Sequence, residues 1–133
     1  MVNAVSFYTS SGLSRNGSVV LITTEEHRDA IKRYLSGDGN VEVFEENGQL
    51  VFLNASELMS SFMVDGNPDP QLFKAGIKAL LEVAGRHPYT GRKREVRLFG
   101  EMASLLWPAN SSAAERLEEL GNEIINEYSV PIL

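Results

Sequence analysis

The sequence predicts an α/β domain with a mainly parallel sheet flanked by helices, and three observations carry that prediction. Short apolar runs recur along the chain, as in "SVVLITT" (18–24), "QLVFLNA" (49–55) and "REVRLFG" (94–100). Uninterrupted runs of this kind suit strands that are covered on both faces. Longer segments of helical period separate them, and strand–helix alternation is the pattern of parallel pairing through crossovers. The composition agrees, because 133 residues with 43% hydrophobic and 23% charged side chains make a packed core the default. A chain of that length buries roughly two thirds of its unfolded surface and suits one domain over 1–133.

The elements follow in order. Residues 3–12 read as a helix ending near Gly12, and 18–24 as the first strand. Thr23 and Glu26 have capping-box spacing, and Ala30, Ile31, Tyr34 and Leu35 form an apolar stripe behind them, which makes 25–36 a helix closed by the "SGDG" turn at 36–39. Residues 49–55 are the second strand and 56–63 a short helix. "DGNPDP" (65–70) is turn chemistry, with Asp69 a natural N-cap and Pro70 a natural first helical residue. Phe73, Ile77, Leu80, Leu81 and Ala84 then share a face until Gly85. After the strand at 94–100, Ser112 and Glu115 make another capping box for a helix carrying Leu117, Leu120, Ile124 and Tyr128. "SVPIL" (129–133) reads as a final strand, with Pro131 suited to its edge.

Charge and residue usage exclude several classes of function. A formal charge of −6, from 12 basic and 18 acidic side chains, argues against a general polyanion binder and hence against direct nucleic-acid binding. Cysteine is absent, which removes disulfides, thiolate catalysis and cysteine-based zinc sites. The apolar runs are too short for a bilayer and the N-terminus has no secretory pattern, so the expected compartment is the cytoplasm.

Most local motifs have plain structural explanations. "GLSRNG" has P-loop glycine spacing at Gly12 and Gly17, but Ser18 and Val19 stand where Lys and Ser or Thr are needed, and the segment precedes a strand instead of following one. "DGNPD" opens like a calcium loop, yet Pro70 and Gly76 occupy the positions of the required Gly and Glu. "RHPYTGRKREVR" holds Arg86, Arg92, Lys93, Arg94 and Arg97, five of the twelve basic residues, and reads as a solvated loop after a helix C-terminus more readily than as a phosphate patch. His27 and His87 lie in different elements, and no G-x-S-x-G marks a serine nucleophile.

Glu101 is the residue that the pattern leaves open. Ligands of parallel sheets sit beyond the carboxyl ends of the strands. Those ends here are Thr23–Thr24, Asn54 and Gly100–Glu101. A carboxylate between apolar runs either faces water, caps the next segment, or joins a polar or ligand-facing network, since burying it alone is costly. Met102 and Trp107 either line an adjoining apolar pocket or pack in the core.

The ordered motifs "GLSRNGSVVLITTEEHRDAIKRYL", "GQLVFLNASELMSSFMVDGNPDPQLF" and "VRLFGEMASLLW…SAAERLEELGNEIINEYSVPIL" resemble the MEDS domain, the DcmR-type sensory domain, from about Tyr8 to Leu133. The resemblance implies a RecA/KaiC-like fold without a working P-loop and a role in sensing small molecules within bacterial and archaeal signalling. Gly100, Glu101 and Met102 match the family's "GEM", on the strand that bears the Walker B acid in the related ATPases. His27 and Arg28 match its "HR", and Phe62, Asp65, Gly66, Pro68, Asp69 and Phe73 match "FMVDG-PDP--F". The chain departs from the family in two places. Gly121 stands where Trp is usual, and the family's first strand, which carries a His and a Tyr, is missing ahead of the match. Loss of that strand would expose backbone edges, so a homodimer is expected.

The resemblance implies a non-catalytic sensory domain without a cofactor. It would bind a small molecule or a signalling protein, such as a histidine kinase or a transcription regulator, away from membranes. The candidate ligand-binding residues are Thr23, Thr24, Asn54, Glu101, Met102 and Trp107. The alternative is a nucleotide-binding remnant or enzyme that uses Glu101 as acid/base or magnesium ligand.

Overall fold

The computed structural model describes residues 2–37, 41–86 and 90–128. Its centre is β1 (Ser18–Thr23), flanked by β2 (Leu50–Asn54) and β5 (Val96–Gly100) in a parallel sheet of order β2-β1-β5. Val19 pairs with Leu50 on one side and Arg97 on the other, and the registers run to Thr23↔Asn54 and Ile22↔Gly100. Val19, Val20, Leu21 and Ile22 are each at most 1% exposed, which is why "SVVLIT" carries no polar alternation.

Alternate residues of β1 feed two separate cores. Val19 and Leu21 pack with α1 (Val2–Ser14), α2 (Glu25–Ser36) and α3 (Val41–Glu46), through Val5, Leu13, Ile31, Leu35 and Val41. Val20 and Ile22, joined by Leu98 of β5, pack with α5 (Pro70–Ala84), α6 (Met102–Leu106) and α7 (Ser111–Tyr128). α4 (Ala55–Ser60) closes the same side beside β2, and Phe62 and Phe73 meet there edge to face at 5.1 Å.

The expected parallel α/β layout is therefore present, with shifts at element ends. α1 runs through Gly12 to Ser14 and stops at Asn16, which takes φ 60° while Gly17 N–H donates to the Gly12 carbonyl at 3.0 Å. Thr24, not Thr23, caps α2, because Thr23 is held in the ladder opposite Asn54. Asn54 ends β2 and caps α4, one residue earlier than expected. Asn110, not Ser112, caps α7: its Oδ1 accepts from Ala113 N–H at 3.0 Å while its Nδ2 donates to the Gly66 carbonyl at 3.1 Å. Residues 65–70 do turn, but inside a small antiparallel hairpin of β3 (Met63–Val64) and β4 (Asn67–Pro68). Asp65 and Gly66 have φ 51° and 81°, as a type I′ turn requires. α3 and α6 are additions that the sequence pattern does not announce. The expected strand 129–133 and part of the 36–39 turn lie outside the described residues.

Gly12 shows how closely α1 approaches the sheet. A Cβ there would lie 2.9 Å from both Val19 Cγ2 and Arg97 Cδ. Arg97 cannot easily yield, since its Nη1 donates to the Tyr8 carbonyl at 3.0 Å and its guanidinium lies 4.8 Å from the Tyr8 ring centre. Alanine gains about 1 kcal/mol of helix propensity over glycine, whereas overpacking a rigid core costs about 1–3 kcal/mol. Val19 is fully buried on the central strand, so the clash dominates. Urea unfolding of Gly12→Ala should show a net loss of up to about 2 kcal/mol, and a stabilised variant would contradict this packing.

Candidate functional site

Glu101 follows the last residue of β5, and its N–H donates to the Ile22 carbonyl at 3.1 Å. That bond carries the strand pairing one step further and brings the side chain over the exit end of β1. The carboxylate then bridges to α2. Its Oε1 accepts from the Thr24 N–H, and its Oε2 lies 2.7 Å from His27 Nδ1. An ionised carboxylate only accepts, so Nδ1–H is the donor in this pair. Thr24 Oγ1 accepts from the His27 N–H at 3.2 Å, so the same turn is capped from within and braced from outside.

Burial and dipole explain why the carboxylate rests there. Glu101 is 9% exposed, and a charge so placed needs both partners and a favourable field. The N-terminus of the 12-residue α2 supplies that field. Because β2 and β5 lie on opposite sides of β1, the β1/β5 exit is where the chain reverses direction across the sheet and where parallel sheets usually hold ligands. Here the protein's own carboxylate occupies it.

The other sequence candidates divide among three places. Thr23, Thr24 and Asn54 line a crevice of about 30 Å³ together with Arg28 and Phe52, room for about one water-sized group. Thr23 Oγ1 is buried without a hydrogen-bond partner, whereas Asn54 Oδ1 accepts from the Glu57 N–H at 3.0 Å. Met102 faces the opposite side of the sheet. Trp107 follows α6, is 42% exposed, and stands apart from both groups.

Met102 opens onto a larger feature, a cavity of about 290 Å³ between the sheet and the α5–α7 layer. Ile22 and Leu98 form its floor, Phe73 and Ile77 of α5 one wall, and Leu117, Gly121 and Ile125 of α7 the other. Glu118 and Asn122 bring the polar groups, and both are exposed. A Cβ at Gly121 would meet nothing within 4 Å, so the absence of a side chain there helps set the free space. In the sequence these α7 residues have the spacing of an ordinary buried stripe, which hides them as the lining of a site. The available signal was a glycine inside that stripe. His27 was equally hidden as a partner of Glu101, 74 residues away.

No helix among the described residues is long and apolar enough to cross a membrane, and none of their side chains form a group of three or more that could hold a metal ion. A family model described as MEDS, the MEthanogen/methylotroph, DcmR Sensory domain, matches residues 1–133, the whole chain. No curated protein and no solved structure matches it.

The bridge makes a graded prediction. Glu101→Ala strands the Thr24 N–H and His27 and should cost about 1–3 kcal/mol in urea unfolding. Glu101→Gln can still accept from the Thr24 N–H, and its NH2 can donate to His27 Nδ1 once the ring carries its proton on Nε2, so it should lose less than Glu101→Ala. Equal stability of both variants and the parent would show that the bridge contributes nothing.

Proposed function

Because the chain belongs to the MEDS family of sensory domains, we propose that it senses a small apolar molecule taken into the cavity between β5, α5 and α7. The single observation that carries this reading is a concave, mostly apolar space of about 290 Å³ beside a helical glycine with nothing in front of it. Small-molecule pockets begin at about 300 Å³, and apolar cavities of about 150 Å³ already take up benzene-sized molecules. Asn122 and Glu118 supply the few polar groups that orient a guest.

A sensor must bind its ligand differently in two states, or the ligand shifts nothing. A guest in this cavity would separate α7 from the sheet floor, and α7 is the element best placed to pass that change on. Its outward surface carries Glu115, Glu119, Glu123 and Glu127. The receiving partner in this reading is a histidine kinase or a transcription regulator. The same reading includes a homodimer, because β2 and β5 are edge strands of the described sheet and each keeps one unpaired side. Monodisperse monomer in light scattering would remove the homodimer.

The alternative reading uses Glu101 as a magnesium ligand or acid/base on a nucleotide. Against it stand the Thr24 N–H and His27, which already engage both carboxylate oxygens. A thermal shift with ATP and magnesium that disappears in Glu101→Gln would favour that alternative.

Toluene, titrated against methyl NMR signals of Met102, Leu117 and Ile125, should give saturable shifts. Gly121→Leu, which fills the cavity, should abolish them. Gly121→Ala should bind still and unfold later by up to about 1 kcal/mol, since the helix gains propensity without a clash. Shifts that persist in Gly121→Leu would place toluene elsewhere and end this proposal.

A further inference from the structure

A second concavity, of about 760 Å³, lies on the neighbouring flank of α5 and is independent of the cavity assigned above. Val20 of the central strand and Val51 of β2 lie at its base, with Leu58 of α4 and Leu80 and Val83 of α5 around them. Val83 is 78% exposed, which is unusual for a valine and leaves an apolar lip facing solvent. Two cations, Arg86 and Arg94, and the amide of Asn47 complete this mostly apolar lining.

Among the described residues those cations have no counter-charge: neither Arg86 nor Arg94 forms an ion pair there. Arg94 is half-buried; one Nη donates to the Arg86 carbonyl at 3.4 Å, while its Nε–H is shielded and meets no acceptor. Burial lowers the Arg94 pKa from the ordinary arginine value, the sign of a cation whose desolvation is not offset. Arg86 is exposed and Arg94 half-buried, so in a chain of net charge −6 the groove sets two guanidinium groups, without an ion-pair partner among the described residues, beside an apolar base.

We infer that this groove binds an amphipathic carboxylate, with an acyl chain over Val20, Val51, Leu80 and Val83 and its head group on Arg94 and Arg86. The guanidinium fork matches a planar carboxylate and cannot lose its charge near neutral pH. The volume falls within the range of small-molecule sites, and the groove reaches a strand residue that is only 1% exposed, deeper than a surface-docked helix requires.

Calorimetric titration with octanoate, 1-octanol and acetate separates head from tail. Octanoate should bind about tenfold more tightly than either control, and Arg94→Gln should erase its advantage over octanol. Gly76→Leu provides a second variant, since Gly76 lines the groove with nothing within 4 Å of an added Cβ and leucine favours the helix. It should abolish octanoate binding, whereas Gly121→Leu should leave it unchanged. Vesicles of phosphatidylglycerol, the membrane source of an anionic amphiphile, should not capture the protein. Octanoate binding that survives both groove variants, no octanoate binding, or capture by vesicles alone would each overturn the assignment.

Discussion

The exit end of the sheet depends on one buried carboxylate. Glu101 leaves β5, closes the strand pairing through its own N–H to Ile22, and turns its side chain onto the first turn of α2. A charge this enclosed persists because three favourable terms coincide: a helix N-terminus, a backbone donor and a histidine donor. The bond to Thr24 joins residues 77 apart in the chain and so fixes how α2 sits relative to β5. The crevice that parallel sheets commonly offer to a ligand is, in this protein, bridged from within.

The larger open spaces lie on the face of the sheet that Val20 and Ile22 present. In the layer of α1, α2 and α3, Gly12 of α1 comes into near contact with Val19. The opposite layer holds the two cavities described above, and each is lined by a helical glycine, Gly121 of α7 or Gly76 of α5. Missing side chains on two helices thus leave room at two flanks of α5. Protein interiors otherwise fill to crystal-like density, so room of this size beside a central strand is a feature that needs a purpose.

Much of the fold was legible in the sequence, since the three strands and the long helices announce themselves by local period. Cap positions were less so. Thr23 and Thr24 are both competent caps, and only pairing of Thr23 with Asn54 assigns the role to Thr24. Ser112 likewise has the right spacing, but Asn110 caps α7 because its amide also reaches Gly66. α3 and α6, of 6 and 5 residues, are too short to show a helical period, and their ends are set by what they pack against. Of the candidate site, Thr23, Thr24 and Asn54 do come together at the strand exits, while Met102 and Trp107 go elsewhere.

By itself the sequence determined the class of fold, the order of its three main strands and long helices, and the kinship with sensory domains, because apolar period and motif order are properties of neighbouring residues. Tertiary structure decided that β1 lies between β2 and β5, that Glu101 finds Thr24 and His27, and that Gly121 and Gly76 face free space. Those outcomes join residues separated by tens of positions, and they turn on which face each side chain presents once the sheet has formed. Local period says that a face is apolar; only packing says whether that face is filled.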